Sequence, residues 1–227
     1  MFREIAHFLR HAPEALRLQA NHSRAEFLEL VMTRADERGY GDVRRALARG
    51  LHGRVLEIGC GTGAMFEYYD PAASVVAIEP EADFFELAVK RAGRFGGRIQ
   101  VVTGDGMALG YESASFDAVV LGLVLCSVPS VEGVLREAYR VLRPSGLLRS
   151  FEHVRSKDRV AGFLMDAGDP LWLRLNKQGC HWNRDPRGDM ARVGFVVDSV
   201  EPFKTFETML PAFPMIRVEA HKPPRDG

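Results

Sequence analysis

The chain has 227 residues, and its 30 Lys and Arg are matched by 30 Asp and Glu, so it lacks the electrostatic footprint of a nucleic-acid binder and DNA or RNA partners are not expected. Its three cysteines, Cys60, Cys126 and Cys180, show no C-x-x-C and no His at the spacing of a zinc site, which predicts no metal and fits a reducing, cytoplasmic compartment. No apolar run approaches the roughly 20 residues that span a bilayer and no cleavable signal opens the chain, so residues 1–227 are expected to form one α/β domain with helical additions.

Residues 1–50 read as helical, with Phe2, Ile5, Phe8 and Leu9, then Phe27, Leu30 and Val31, at helix spacing. Ser23 and Glu26 have the spacing of a capping box, and Asp42 is placed to cap a further helix ending near Gly50. Such an N-terminal helical lid can cover a ligand, pack as a pad on a sheet, or rest its apolar face on a membrane surface, and periodicity alone fits all three.

Val55 to Ala64, VLEIGCGTGA, is an apolar run, an acid and three glycines, which reads as a buried strand, a tight turn and a helix over Ala64–Tyr69. Gly59 and Gly61 suit a turn that brings backbone against a ligand, and a helix N-terminus would present unpaired N–H groups to it. Gly59, Gly61 and Ala64 also meet the dinucleotide fingerprint G-x-G-x-x-G/A. Glu57 argues against a pyrophosphate, which it would repel, and suits a ligand bearing an ammonium and a sulfonium, as S-adenosylmethionine does.

A second strand, Ser74–Ile78, ends at Glu79 and Pro80, about 20 residues past the loop, where an acid can accept ribose hydroxyls. After a helix from Glu81 to about Phe95, a third strand, Arg98–Val102, closes with Gly104, Asp105, Gly106 and Met107, a turn suited to the edge and face of an adenine. Ser115–Val128 is a fourth buried strand running into an apolar segment, with Gly122 and Leu123 near a ligand. Ser130–Leu142 is an amphipathic helix stopped by Pro144 and Gly146, and Leu147–Val154 is a fifth strand ending in Glu152 and His153. Gly168 and Pro170 predict a broken helix between Lys157 and about Asn176. The polar loop GCHWNRDP follows, with Asp185 and Pro186 as cap and first residue of the next helix. Gly194–Val200 and Met215–His221 are strand-like. Strands alternating with helices predict a three-layer Rossmann-like sheet of about seven mostly parallel strands, helices on both faces.

E-x-G-x-G-x-G, an acid ending strand two and G-D-G-M after strand three resemble the class I S-adenosylmethionine-dependent methyltransferases. GCGTGAMFEYY, IEPEADFFE, LVLCSV, LRPSG, FEHV and DPLWLRLNKQGCHWNRD, between about residues 50 and 217, resemble more closely the small-molecule group that contains the human alkyl-thiol S-methyltransferases and bacterial relatives. Two departures stand out. Met1 to Ala20 is too charged for the hydrophobic N-terminal anchor of the human enzymes, which leaves peripheral membrane contact at most. Phe213, Pro214 and Met215 replace an Arg-Pro-His segment, which changes one wall of the acceptor pocket.

The resemblance implies S-adenosylmethionine as cofactor and a small-molecule methyl acceptor, apolar or thiol-bearing. O-, N- or C-methylation of a small metabolite, a nicotinamide-dependent oxidoreductase and a non-catalytic S-adenosylmethionine-binding protein remain as alternatives. It assigns Glu57, Gly59, Gly61 and Gly63 to the methionine end, Glu79 to the ribose, and Asp105 with Met107 to the adenine. Cys60, Pro80, Gly104, Gly106, Gly122 and Leu123 are counted with the cofactor segments. Cys60 and Cys126 read as small buried fillers rather than nucleophiles. Methyl transfer needs no acid for its neutral leaving group, whereas a thiol acceptor, with a pKa of about 8.5, gains from a base. His153 and His181 are the candidates, each with a structural alternative, a backbone hydrogen bond or loop ordering. Arg184 and Asp185 read as a loop-fixing pair. The pocket is expected over the carboxyl ends of strands four and five, under the N-terminal helices and the segment from Phe163 to Trp182.

Overall fold

The computed structural model describes residues 17–175, 179–204 and 214–225. Expectations for residues 1–16 and for Phe213 lie outside the described residues. The chain runs α1 (Arg24–Ala35), a π-helical segment (Asp36–Tyr40), α2 (Gly41–Ala48), β1 (Gly53–Ile58), β2 (Ala73–Ile78), α3 (Ala82–Ala92), β3 (Ile99–Val102) and β4 (Phe116–Gly122). It continues through α4 (Val131–Val141), β5 (Leu142–His153), α5 (Arg159–Leu175), α6 (Pro186–Val193), β6 (Val196–Lys204) and β7 (Pro214–His221).

The strands form one sheet in the order β3-β2-β1-β4-β5-β7-β6, parallel except where β7 inserts antiparallel between β5 and β6. The order reverses direction between β1 and β4, so loops leaving the carboxyl ends of neighbouring strands diverge there and open a crevice. Alternation along each strand divides the core. Leu56, Ile58, Val76, Val119 and Leu121 face α4 and α6, which contribute Leu135, Ala138 and Met190. Val55, Val75, Ala77 and Val120 belong to the opposite layer, with Leu47 and Ala48 of α2 and Ala88 of α3. The expected fold class is thus observed.

Four local expectations need correction. No α-helix follows the glycine loop: residues 61–65 are turns, and Phe66–Tyr68 is one 3-10 turn. Gly63 sits at φ 81, outside helical space, and Phe66 and Tyr69 are drawn into the sheet layer, which ends the segment in extended backbone. Asp42 lies inside the first turn of α2 and pairs with Arg45 at 2.5 Å rather than capping it, because the π-helical segment feeds directly into the helix. At Pro144 and Gly146 the chain is already in β5, whose Leu142 pairs with Phe116 across a register shift. Finally, α5 runs unbroken through Pro170. Gly168 leaves room for Trp182, which a Cβ there would approach to 3.0 Å, and the Trp182 indole donates to the Met165 carbonyl at 2.7 Å, so tertiary contacts hold the helix past its proline.

Other local readings hold. Ser23 and Glu26 form the capping box, and Asp185 accepts from the Gly188 N–H with Pro186 as the first helical residue. No helix among the described residues is long and apolar enough to cross a membrane. On α5, Val160, Phe163, Leu164 and Leu171 remain exposed.

Candidate active site

The glycine loop leaves β1 at the crevice. Gly59 (φ 68) and Gly61 (φ 56) both occupy left-handed backbone, for different reasons. A Cβ on Gly59 would lie 2.7 Å from the Val124 side chain, so this glycine lets the β1 and β4 ends pack together. A Cβ on Gly61 would meet nothing within 4 Å, so its open face is available to a ligand. Gly63 packs instead against the Phe66 ring, 2.5 Å from where a Cβ would stand.

Two acids frame the loop. Glu79 accepts from the Gly61 N–H at 2.8 Å and the Glu81 N–H at 3.1 Å, so it holds the loop in shape, and burial raises its pKa. Glu57 is 3% exposed and accepts from the Tyr69 hydroxyl at 3.0 Å. Burial pushes its pKa from an ordinary 4.5 up to about 8, opposed by the Tyr69 hydrogen bond and by the Arg44 guanidinium. Arg44 of α2 is itself buried, donating to Asp36 at 2.8 Å with its guanidinium over the Phe151 ring. Buried acid beneath an open glycine is a site that gains from a cationic ligand. Cys60 is buried beside it, its thiol pKa raised well above the ordinary value by burial and then by Glu57.

At the end of β3, Asp105 accepts from the Met107 N–H at 2.8 Å, closing an exposed turn. Gly104 lies against Ile78 and Gly106 against Ile58, which seats this turn beside the ends of β1 and β2. Pro80 is exposed just past Glu79. The structure therefore brings the expected cofactor residues of three strand ends to one edge. The chemistry of that donor set is compatible with a ligand bearing an ammonium, a ribose diol and an adenine: Glu57 could meet the cation, Glu79 the diol, and the Asp105–Met107 turn the base.

The fourth strand end is built differently from the sequence expectation. β4 stops at Gly122, where a Cβ would lie 2.7 Å from the Phe151 ring, and Leu123 turns the chain at φ 60. The three N–H groups that follow, of Val124, Leu125 and Cys126, all point at the Glu152 carboxylate at 3.2, 3.1 and 3.3 Å. Glu152 is fully buried at the end of β5, and its pKa is pushed well up, first by that burial. The sequence places Glu152 at a strand end without a role; nothing local shows that its partners lie in the turn after another strand.

Both candidate bases arrive here. His153 ends β5, and its Nδ1 lies 3.3 Å from the Cys180 Sγ. His181 donates its backbone N–H to the Cys126 carbonyl at 2.8 Å, which ties the polar loop to the β4 turn. Its Nδ1 lies 2.7 Å from Oδ2 of Asp169, a 6% exposed residue of α5. A carboxylate offers only acceptors, so Nδ1 carries a proton and Nε2 is left as the basic nitrogen. Nothing local in the sequence marks Asp169, which precedes a proline in what reads as a helix break.

The two tryptophans hold the loop. Their rings stack at 5.0 Å and 6°, and the Trp172 indole donates to the Cys180 carbonyl at 2.8 Å. Arg184 fixes the β4 turn through the carbonyls of Leu125 and Val128, while Asp185 caps α6. A cavity of about 490 Å³ lies between α1, the π-helical segment, the start of α2 and the turn after the glycine loop, lined by Glu29, Asp36, Asp42, Glu67, Arg45 and Arg91 among others; its charged walls do not suit an apolar acceptor.

Comparison with known proteins agrees with this geometry. The methyltransferase domain family matches residues 56–150, from β1 into β5. Thiol S-methyltransferase TMT1B of Rattus norvegicus is 36% identical over 177 residues, 74% of this chain and 70% of its own length. The ubiquinone/menaquinone biosynthesis C-methyltransferase UbiE of Methylobacterium nodulans is 36% identical over 161 residues, 67% of this chain and 60% of its own. Among solved structures, the YcgJ protein of Bacillus subtilis superposes with a TM-score of 0.67 over 84% of this chain and 100% of its own, at 15% identity, which speaks for the fold alone. An open glycine loop over a buried acid, a second acid ending β2 and relatives of this similarity lead to one conclusion: the chain belongs to the class I S-adenosylmethionine-dependent methyltransferases.

Proposed function

We propose that the chain methylates the sulfur of a small, apolar thiol in the cytoplasm, with His181 as the base. The observation that carries this reading is the His181–Asp169 pair, set by the Cys126 carbonyl at the end of β4 where that strand packs on the glycine loop. When bound, the cofactor supplies an electrophilic methyl group on a sulfonium. Glu57 and Glu79 hold its charged and ribose ends, and the Asp105–Met107 turn meets the adenine. Asp169 keeps Nδ1 of His181 protonated, so Nε2 takes the thiol proton as the sulfur attacks. The β4 turn, pinned by Glu152, limits where the acceptor sulfur can stand, so rate enhancement comes chiefly from alignment in a dry pocket. The cofactor-competent loop is strapped from above by α1, whose Glu29 accepts from the Thr62 hydroxyl and whose Arg24 side chain reaches Glu81 at 2.5 Å; α1 acts as the lid, whereas α2 belongs to the core.

The test is S-adenosylhomocysteine release across thiols, phenols, amines and carboxylates, for the parent chain and His181→Ala. Thiols are expected to be the preferred acceptors. The variant should lose about 100-fold or more in turnover at neutral pH, with the deficit shrinking as the pH passes the ordinary thiol pKa of about 8.5, where solvent supplies the thiolate. A deficit independent of pH would make His181 a loop-ordering residue, and preference for phenols or carbon acids would overturn the thiol assignment.

A further inference from the structure

Cys126, His153 and Cys180 lie far apart in sequence, and spacing alone dismisses them as metal ligands. In the fold their Sγ and imidazole nitrogen atoms all come within 4.8 Å of one another. Each comes from a different support: the turn after β4, the last residue of β5 and the polar loop before α6. We propose that these three side chains bind one zinc ion through two thiolates and the His153 Nδ1, leaving a fourth position for the sulfur of the methyl acceptor. The fourth-position role rests on the thiol reading above; the metal site itself does not.

The donor set and its spacing fit the ion. With Zn–S near 2.3 Å and Zn–N near 2.0–2.1 Å, tetrahedral ligand atoms stand roughly 3.4–3.8 Å apart, so little closure is needed. The Nδ1 to Cys180 Sγ separation is already 3.3 Å. Two Cys and one His with an open fourth position is also the ligand pattern of catalytic rather than structural zinc.

The groups behind the ligands are as fixed as a metal site requires. Glu152 takes the N–H groups of Val124, Leu125 and Cys126, which sets the turn carrying the first thiol. The Trp172 indole holds the Cys180 carbonyl, the His181 N–H holds the Cys126 carbonyl, and His153 is registered against Met215 of β7. Supporting bonds of this kind orient metal ligands. Cys126 is 2% exposed, so its Sγ is shielded from solvent on the protein side. Metal binding requires thiolates, and a divalent ion supplies the positive charge that offsets two of them in this buried place.

The chemistry balances without a redox partner. The acceptor thiol gives up its proton, which leaves to solvent through His181, and its sulfur takes the fourth zinc position. A sulfur lone pair then forms the new S–CH₃ bond while the methyl–sulfonium bond breaks, its electron pair staying on the departing sulfur. The products are two neutral thioethers, both poor zinc ligands, so the fourth position is vacated. Zinc remains divalent throughout.

The test uses cobalt(II) as a spectroscopic substitute on the full chain, purified under reducing, metal-free conditions. One equivalent should produce a sulfur-to-cobalt charge-transfer band and tetrahedral ligand-field bands. Both should be abolished by zinc and lost in Cys126→Ser and Cys180→Ser, while calorimetric S-adenosylhomocysteine binding in these variants stays within about 2-fold of the parent. Adding butanethiol should shift the ligand-field bands, and butyl methyl sulfide should not. Absence of the charge-transfer band, its survival in both serine variants, or quantitative Cys126–Cys180 disulfide in place of metal binding would overturn the site. Bands that ignore butanethiol, in a chain that methylates it, would overturn the fourth-position role while leaving thiol methylation standing. Bands that form in a chain methylating no thiol would instead refute the proposed function and, with it, the delivery role.

Discussion

Glu57 is the side chain whose environment opposes its ionisation most directly in the cofactor site, and its replacement by Gln gives a sharp test of the site's electrostatics. Glu57 is buried with the Tyr69 hydroxyl on it, and its pKa stands at about 8 instead of 4.5. The cost is absent below the lower value, where both folded and unfolded chains are protonated. It grows as the unfolded chain ionises and the folded one does not, and it levels off above the higher value. At pH 7 the difference amounts to about 3 kcal/mol, taking about 1.36 kcal/mol per pH unit between ordinary ionisation and neutrality. Glu79 and Glu152 are raised as well, so the ligand-free parent should lose stability steadily between pH 5 and pH 8. Glu57→Gln keeps an acceptor for Tyr69 and removes only the ionisation. Urea unfolding of both chains across this range should give curves within about 1 kcal/mol of each other at pH 5 and about 3 kcal/mol apart at pH 7, the variant being more stable. The same variant should bind S-adenosylhomocysteine more weakly, since the ammonium loses its counter-charge. A difference in stability that does not change with pH would refute the reasoning, because it would show that Glu57 ionises freely in the folded chain.

Glu79→Ala removes the proposed ribose acceptor and also frees the Gly61 and Glu81 N–H groups, so cofactor affinity measured by calorimetry should fall by about 1–3 kcal/mol; unchanged affinity would place the ribose elsewhere. Gly59→Ala should destabilise the fold by about 1–3 kcal/mol, since the added Cβ meets Val124 in left-handed backbone, and Val124→Ala should restore part of that loss but not all. Full restoration in denaturant unfolding would mean that the backbone conformation contributes nothing. Asp169→Asn, which lets Nδ1 of His181 face a donor, should lower thiol turnover while leaving S-adenosylhomocysteine affinity unchanged; parallel loss of both would make the pair structural.

Local pattern carried the elements and the motifs at the strand ends. Apolar runs of strand length separated by amphipathic segments specify a parallel sheet, and Glu57, Gly59, Gly61, Glu79 and the Asp105 turn are legible because each sits at the end of its own strand, a position the chain declares locally. Capping residues such as Ser23 and Asp185 are legible for the same reason, since their partners lie three residues away. What the pattern missed depended on distant segments. Burial of Phe66 and Tyr69 overrode the helix expected after the glycine loop, and the Trp172–Trp182 stack carried α5 through its proline. The gathering of Cys126, His153 and Cys180 is the fullest case. The β4–β5 register, with Gly122 beside Phe151, sets the Cys126 turn next to the end of β5, and the Trp172 hydrogen bond delivers Cys180 from a loop more than twenty residues on. Spacing along the chain describes which element a residue occupies, whereas strand register and loop anchoring decide which side chains meet, and that is why the strand-end motifs could be placed from the sequence and the gathering of Cys126, His153 and Cys180 could not.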